Sequence, residues 1–328
     1  MEPVDALTEI ATLLERERAS KYRSKAFRSA AAAIDGLSGA ELGDRLRTAH
    51  IPGVGDTSRT VILQSLEGRV PDYLAELRAR YAVTESTLRT QLRGDLHAHT
   101  DWSDGTAGIE AMIDAAASLG HEYQAITDHS PRLRVARGLT AERLAAQLDV
   151  IERMQTPIRV LRGIEVDILE DGTLDQTDEM LARLDVVVGS VHSKLRSSRE
   201  EMTRRMVRAI GSGRMHVLGH VTGRLVTGER GTRPPSELDA RAVFAACAQH
   251  GVAVEINSRP ERADPPDDLI AVALEEGCLF AIDSDAHAPG QVSLLDHGAA
   301  RAEACAVPAQ RIVTTWPLAR LEAWLARD

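Results

Sequence analysis

Apolar positions along the first 80 residues recur every three or four places. In "DALTEIATLLERERASKYRSKAFRSAAAAIDGL", Leu7, Ile10, Leu13 and Leu14 fall on one helical face. "IPGVG" at 51–55 interrupts that rhythm and "SRTVILQSLEG" resumes it. The spacing predicts a small all-α domain over residues 1–80, then a linker over 81–93. After Gly94 the rhythm changes to short apolar runs alternating with helical stretches. Seven runs read as strands: "DLHAH" near 95–99, "YQAITDH" at 123–129, "IRVLRGIEV" at 158–166, "DVVVGSVH" at 185–192, "MHVLGH" at 215–220, "VAVEIN" at 252–257 and "LFAIDSDAH" at 279–287. "RIVTT" at 311–315 is a candidate eighth. Strands alternating with helices predict an α/β domain with a parallel sheet. Seven or eight repeats predict that the sheet closes into a barrel over residues 94–328.

Polar residues interrupt the apolar runs at one place in each unit. His97, His99, His129, Glu165, His192, His220, Asp285 and His287 all fall at the C-terminal end of a predicted strand. In a parallel barrel those ends converge on one mouth, where active sites form. No single motif decides the chemistry. His97-x-His99 places two imidazoles on one face of a strand, where both can reach one ion; an isolated pair reads equally well as a packed core histidine. Taken alone, Glu165 reads as a partner of Arg162, and "SDAH" at 284–287 as a helix N-cap. Jointly, six of the eleven histidines share one face with three carboxylates, the third being Asp104 in the turn after His99. Nine ligands exceed what one ion takes, which implies a cluster of two or three divalent ions. Imidazole and carboxylate without thiolate suit zinc, manganese or iron in open catalytic sites. Such clusters clamp phosphoryl groups and acidify a bound water.

Composition narrows the picture. Hydrophobic residues make up 43% and aromatic residues only 3% of the 328, so the core is sizeable and mostly aliphatic. The net charge of −10 argues against coating nucleic acid by bulk electrostatics, though not against a local basic groove. The first 93 residues are nearly neutral, with 14 Lys and Arg against 13 Asp and Glu; the remaining 25 against 36 carry nearly all of the net charge. Cys247, Cys278 and Cys305 lie far apart and read as reduced core residues. With no signal peptide and no apolar run of ~18–20 residues, the expectation is a cytoplasmic protein with no membrane partner.

"GDLHAHTDWSDGT", "AITDHS", "GIEVDIL", "SVHS", "LGHVTGRL", "EIN" and "SDAH" resemble the successive motifs of the PHP (polymerase and histidinol phosphatase) family across about residues 94–320. "DGTLDQTDEMLARLDVVVGSVHS" and "REEMTRRMVRAI" are similar to the subgroup attached to bacterial X-family DNA polymerases. The resemblance implies a distorted (β/α)7 barrel holding three divalent ions. Carried over by motif, His97, His99, Glu165 and Asp285 would hold the first ion. Glu165 would bridge to a second, held with His192 and His220, while Asp104, His129 and His287 would hold the third. It further implies phosphoester hydrolysis, in which Glu165 and His192 take part and Asp285 orients the attacking water. No protein nucleophile is required.

Basic residues follow the predicted strand ends. Arg132, Arg134 and Arg137 follow His129, Lys194 follows His192, Arg224 follows His220, and Arg259 and Arg262 follow "EIN". As a group they suit a phosphate backbone, and Arg134, Arg137, Lys194, Arg224 and Arg259 are the expected phosphate-binding set. Arg259 departs from the polymerase-linked relatives, which carry a small or amide residue there. In the front end, "LRTAHIPGVGDTSRTVILQSLEG" resembles a helix-hairpin-helix, whose glycine turn offers N–H groups to a DNA phosphate. By that resemblance Gly53, Gly55, Lys21 and Lys25 contact DNA. Asp56 stands where the family commonly has a basic residue, and Arg59 where it has a small one. Only about 40 residues separate Gly55 from Gly94, with no paired-aspartate polymerase motif, so no nucleotide-polymerising activity is expected. The leading expectation is a phosphoesterase at DNA ends, of the 3′-5′ exonuclease, 3′-phosphatase or abasic-site type. The alternatives are a small-molecule phosphatase of the histidinol-phosphatase type and a non-catalytic DNA-repair adaptor.

Overall fold

The computed structural model describes residues 1–17, 21–80, 86–227 and 231–326. The chain separates into two compact units, 1–84 and 85–328. The first contains helices α1 (Pro3–Arg16), α2 (Lys21–Ile34), α3 (Gly39–Thr48), α4 (Asp56–Leu66) and α5 (Asp72–Arg80). Leu7, Ile10 and Leu14 are fully buried, as their spacing predicts, and pack with Phe27, Ile34, Val61, Leu74 and Leu77; Leu13 lies on the flank of this cluster. Ser38 and Glu41 form a capping box that starts α3. Between α3 and α4 the Val54 N–H donates to the Ile51 carbonyl at 3.0 Å. Gly53 takes a φ of +89° in that turn, a conformation that strains any other L-residue.

The second unit is built on seven parallel strands: β1 (Gly94–Asp95), β2 (Tyr123–Ile126), β3 (Arg159–Asp167), β4 (Val186–Ser190), β5 (Val217–Leu218), β6 (Ala253–Asn257) and β7 (Phe280–Asp283), hydrogen-bonded in chain order. The ring comes close to closing. Ala98 bridges Ala286, and the Leu96 N–H donates to the Asp283 carboxylate at 2.9 Å. Around it run α6 (Ile109–Ser118), α7 (Ala141–Arg153), the single turn α8 (Asp178–Leu181), α9 (Arg199–Ile210), α10 (Ala240–His250), α11 (Asp267–Glu275) and α12 (Leu295–Ala304).

The period-two alternation of strands sorts each strand into two faces. Leu96, Ala125, Leu161, Val186, Val188, Val217, Ala253 and Ala281 form an inner cluster. Their neighbours Ile164, Val166, Val187, Leu218, Val254, Ile256, Phe280 and Ile282 pack in the outer core. The inner parity then continues toward the strand ends, and there it carries Glu165, Asp167, Glu255 and Asn257. One alternation therefore supplies both the apolar filling of the barrel and the polar lining of its mouth.

Three expectations change. "RIVTT" is not a strand: short 3-10 turns flank Ile312, which makes a single bridge to Phe280. The chain then enters α13 (Leu318–Leu325), whose Leu321 and Leu325 join Trp316 in the inner cluster, so this segment fills the barrel instead of extending the sheet. Second, residues 86–93 belong to the barrel unit, because Leu88 and Leu92 are buried in its outer core on either side of a 3-10 turn, Arg89–Gln91. Residues 81–85 of the expected linker lie outside the described residues. Third, β1, β5 and β7 are shorter than their apolar runs, because the ladder gives way where the chain begins to deliver polar side chains. Among the described residues no helix is long and apolar enough to cross a membrane.

Candidate metal centre

The nine expected ligands come together at the C-terminal ends of the strands. Glu165, near the end of β3, lies at the centre. Its Oε2 is 3.5 Å from His97 Nε2, 3.6 Å from His99 Nε2 and 2.7 Å from His129 Nδ1. Its Oε1 is 3.3 Å from His192 Nε2 and 2.8 Å from His220 Nε2. On one side His99 Nε2 lies 3.5 Å from Asp285 Oδ1. Further out, Asp104 Oδ1 is 3.5 Å from His129 Nε2 and 3.4 Å from His287 Nε2. Three overlapping groups have ligand atoms close enough together for one ion each: His97, His99 and Glu165; His129, Glu165 and His192; and His99, Asp104, His129 and His287.

The residues fit divalent cations. Five imidazoles aim at one carboxylate, and His97 and His99 turn their Nε2 atoms toward each other at 3.1 Å. A neutral ring cannot donate from both nitrogens, yet His97, His129 and His192 each face carboxylates on both sides. Cations between these atoms would resolve the conflict, and the donor types are those zinc, manganese and iron accept.

The electrostatics follow from burial and from the neighbours of each group. Burial would raise the Glu165 carboxyl, but His192, His129 and His97 hold it well below its usual range. Burial pulls His97 down, yet Glu165 and Glu255 carry it well above the ordinary histidine value. His192 is likewise opposed by burial and is raised to about 9 by Glu165 and Asp167. His99 lies well below the ordinary value, through burial and the adjacent His287 and His129 rings. Asp285 is buried, but the guanidinium groups of Arg259 and Arg262 keep it ionised. Its backbone sits at a φ of +50°, a strained conformation held by its surroundings.

The sequence reading missed the carboxylates behind the ligands. Glu255 Oε1 lies 2.6 Å from His97 Nδ1, and Asp167 bonds His192 Nδ1. Such partners fix the tautomer and orientation of a ligating imidazole. Asn257 links Glu255 to Asp285 at 3.0 and 3.1 Å. Asp128 gathers the Thr100 N–H and hydroxyl, Ser103 and Gln147. The i, i+2 spacing of Glu165 to Asp167, and of Glu255 to Asn257, was the available signal.

The expected phosphate-binding set divides. Arg134 and Lys194 are exposed, as is Arg132. Arg137 is exposed too, but its guanidinium donates to the carbonyls of Ser103 and Asp101. Arg224 donates to the carbonyls of Arg262 and Ala263. Arg259 is buried, pairing with Glu261 at 2.7 Å and approaching Asp285 and His287. These three guanidinium groups hold loops and ligands, because carbonyls and carboxylates of the chain claim their donors. Arg262 reaches Asp285 through Nε at 2.9 Å. In the helical unit Gly53 and Gly55 flank Val54 before α4, Lys25 is exposed, and the Lys21 side chain lies outside what is described. Asp56 opens α4 and lines a groove of about 390 Å³ with Asp72 and Glu76.

Fold and site together define a seven-stranded parallel barrel whose mouth gathers imidazoles and carboxylates of the kind that hold divalent cations. The model of the PHP domain matches residues 95–259. A Bacillus subtilis protein described as DNA polymerase/3'-5' exonuclease PolX is 35% identical over 241 residues, a match covering 73% of this chain and 42% of that protein. This chain thus spans less than half of that relative's length. The Escherichia coli protein described as "Probable phosphatase YcdX" is 28% identical over 233 residues, covering 68% of this chain and 90% of that one. Among solved structures, histidinol phosphate phosphatase of Lactococcus lactis, complexed with zinc, L-histidinol and phosphate, superposes with a TM-score of 0.46 at 17% identity, over 65% of this chain and 93% of that one. The chain belongs to the PHP family.

Proposed function

We propose that the chain hydrolyses phosphoester bonds at DNA ends, with three divalent ions held by the nine mouth residues. The observation that carries this reading is Glu165, a single buried carboxylate within 3.6 Å of five imidazoles. His97, His99, Glu165 and Asp285 would hold one ion, Glu165, His192 and His220 a second, and Asp104, His129 and His287 a third. Bound ions supply a water acidified to near-neutral pKa and positive charge opposite the phosphate oxygens. The chain's own part is orientation. Asn257, Arg259 and Arg262 fix the Asp285 carboxylate from three sides. Ionised and immobile, it accepts a hydrogen bond from the attacking water and aims it. Asp167 and Glu255 hold His192 and His97 in ligating orientation.

Two features support a DNA end as the substrate: the glycine turn before α4, and the exposed Arg132, Arg134 and Lys194 beside the mouth in an otherwise acidic unit. The Bacillus relative's description as an exonuclease agrees with them. A small-molecule phosphatase is the second reading, favoured by Asp56, Asp72 and Glu76 around the start of α4, which would repel a DNA phosphate.

The test supplies Mn²⁺ or Zn²⁺ with a 3′-phosphorylated oligonucleotide, a 3′-hydroxyl single strand and histidinol phosphate, beside Asp285→Ala and His99→Ala. Turnover of either oligonucleotide, abolished in both variants, is the expected result. Turnover of histidinol phosphate alone would move the assignment to the second reading.

A further inference from the structure

Asp104 differs from the other eight ligands. Its side chain is 37% exposed, against 18% or less for each of the rest. It also sits on a loop, residues 100–106, with no strand or helix of its own. Two devices hold that loop from opposite sides. On the inner side, Asp128 accepts from the Thr100 N–H at 2.8 Å and from the Thr100 and Ser103 hydroxyls. On the outer side, the carbonyls of three consecutive residues, Asp101, Trp102 and Ser103, accept from no backbone N–H among the described residues. Two guanidinium groups satisfy them. Arg137 donates to Ser103 through Nε at 2.9 Å and to Asp101 through Nη2 at 2.8 Å. Arg143, from the first turn of α7, donates to Trp102 and, at 2.5 Å, to the carbonyl of Arg137 itself.

The two arginines thus form a staple built from the segment that follows His129. The same segment folds tightly on itself. Leu139 donates to the His129 carbonyl at 2.7 Å. Gly138 lies so close to Ser130 that a Cβ there would fall 1.8 Å from its carbonyl oxygen. Arg137 holds a φ of +56°, which aims its side chain back across the loop. Across the loop the Thr106 N–H donates to the His287 carbonyl at 2.8 Å. The staple therefore registers Asp104 against His129 and His287, the other two members of the outer group.

We infer that Arg137 and Arg143 are positioning residues that set the occupancy of the outermost ion site, that of Asp104, His129 and His287, and leave the two inner sites unaffected. This rests on the three-ion reading above. Without the guanidinium groups, three carbonyls turn to water, the loop gains freedom, and Asp104 pays the ordering cost on each binding event. Losing the partners that hold a ligand in place weakens metal affinity by about 10–100-fold.

The test uses Arg137→Asn, since asparagine tolerates a positive φ, and Arg143→Met as an independent second variant. Zn²⁺ is titrated calorimetrically into stripped full-length protein, with bound metal counted by plasma mass spectrometry and melting followed for the stripped forms. The expected result is three ions in the wild type, and in either variant two ions at unchanged affinity with the third weakened about 10–100-fold, at an unchanged stripped melting temperature. Three ions bound with wild-type affinities by both variants would overturn the inference. So would uniform weakening of all ions with a lowered melting temperature, which marks a merely structural role. Fewer than three ions in the wild type would instead remove the three-ion reading, and the inference with it.

Discussion

Asp167 stands two residues after Glu165 in β3, and that spacing is why both carboxylates face the barrel interior. Glu165 faces five imidazoles, whereas Asp167 faces one, through His192 Nδ1, among the described residues. Their replacement therefore has different consequences. Glu165→Gln removes the charge shared by two proposed sites, and loss of both bound metal and turnover is expected. Asp167→Asn keeps every ligand and lowers metal affinity by about 10–100-fold, readable by competition with a chromophoric chelator; an unchanged affinity would count against its role behind His192. The imidazole shifts set a pH dependence. His192 is raised to about 9 in the folded metal-free chain against an ordinary 6.5. The folded state thus holds that proton more tightly than the unfolded state. Its contribution to stability is complete below pH 6.5 and is lost as pH rises through about 9. An ion must displace the same proton, so Zn²⁺ affinity rises with pH across that window, with proton release measurable by calorimetry in buffers of different ionisation enthalpy. Absence of proton release at pH 7.5 would refute it.

At the scale of elements, the sequence was legible wherever periodicity and chemistry pointed the same way. The seven strands and their ligand ends were readable because each apolar run stops at a polar residue that has to leave the ladder. "RIVTT" misled because β-branched composition alone does not say whether a run pairs with a sheet or fills its interior. Of the staple arginines, Arg137 was legible only as a charge near the mouth, and Arg143 gave no signal. The partners of Arg137 and Arg224 are backbone carbonyls, which have no sequence signature, and those of Arg259 include the Glu261 and Asp285 carboxylates, so all three read as phosphate ligands. The turn before α4 gives a separate prediction. Asp56 is exposed in the first turn of that helix, where the macrodipole favours an anion and its own carboxylate competes with a phosphate. Asp56→Lys is expected to tighten duplex DNA binding by the full-length chain and to steepen its dependence on salt, by a slope of about 1 for each added phosphate contact. Fluorescence anisotropy across a salt series measures both, and superimposable curves would rule out the turn as a DNA contact.

Across the whole molecule, two kinds of core sustain two kinds of unit. The helical unit relies on a small aliphatic cluster around Ile10 and Leu14. The barrel wraps apolar layers around a polar centre of imidazoles and carboxylates. Phe244 is completely buried in the outer core; Phe244→Ala is expected to cost about 3–5 kcal/mol in chemical denaturation, with the metal ligands untouched. Most of the net charge of −10 lies in the barrel unit, consistent with a site that gathers cations. Anomalous diffraction from crystals soaked with Mn²⁺ or Zn²⁺ tests the central claim most directly. The account predicts three peaks: one among His97, His99, Glu165 and Asp285, one among Glu165, His192 and His220, and one among Asp104, His129 and His287. An empty mouth, or a single ion bound elsewhere, would contradict it.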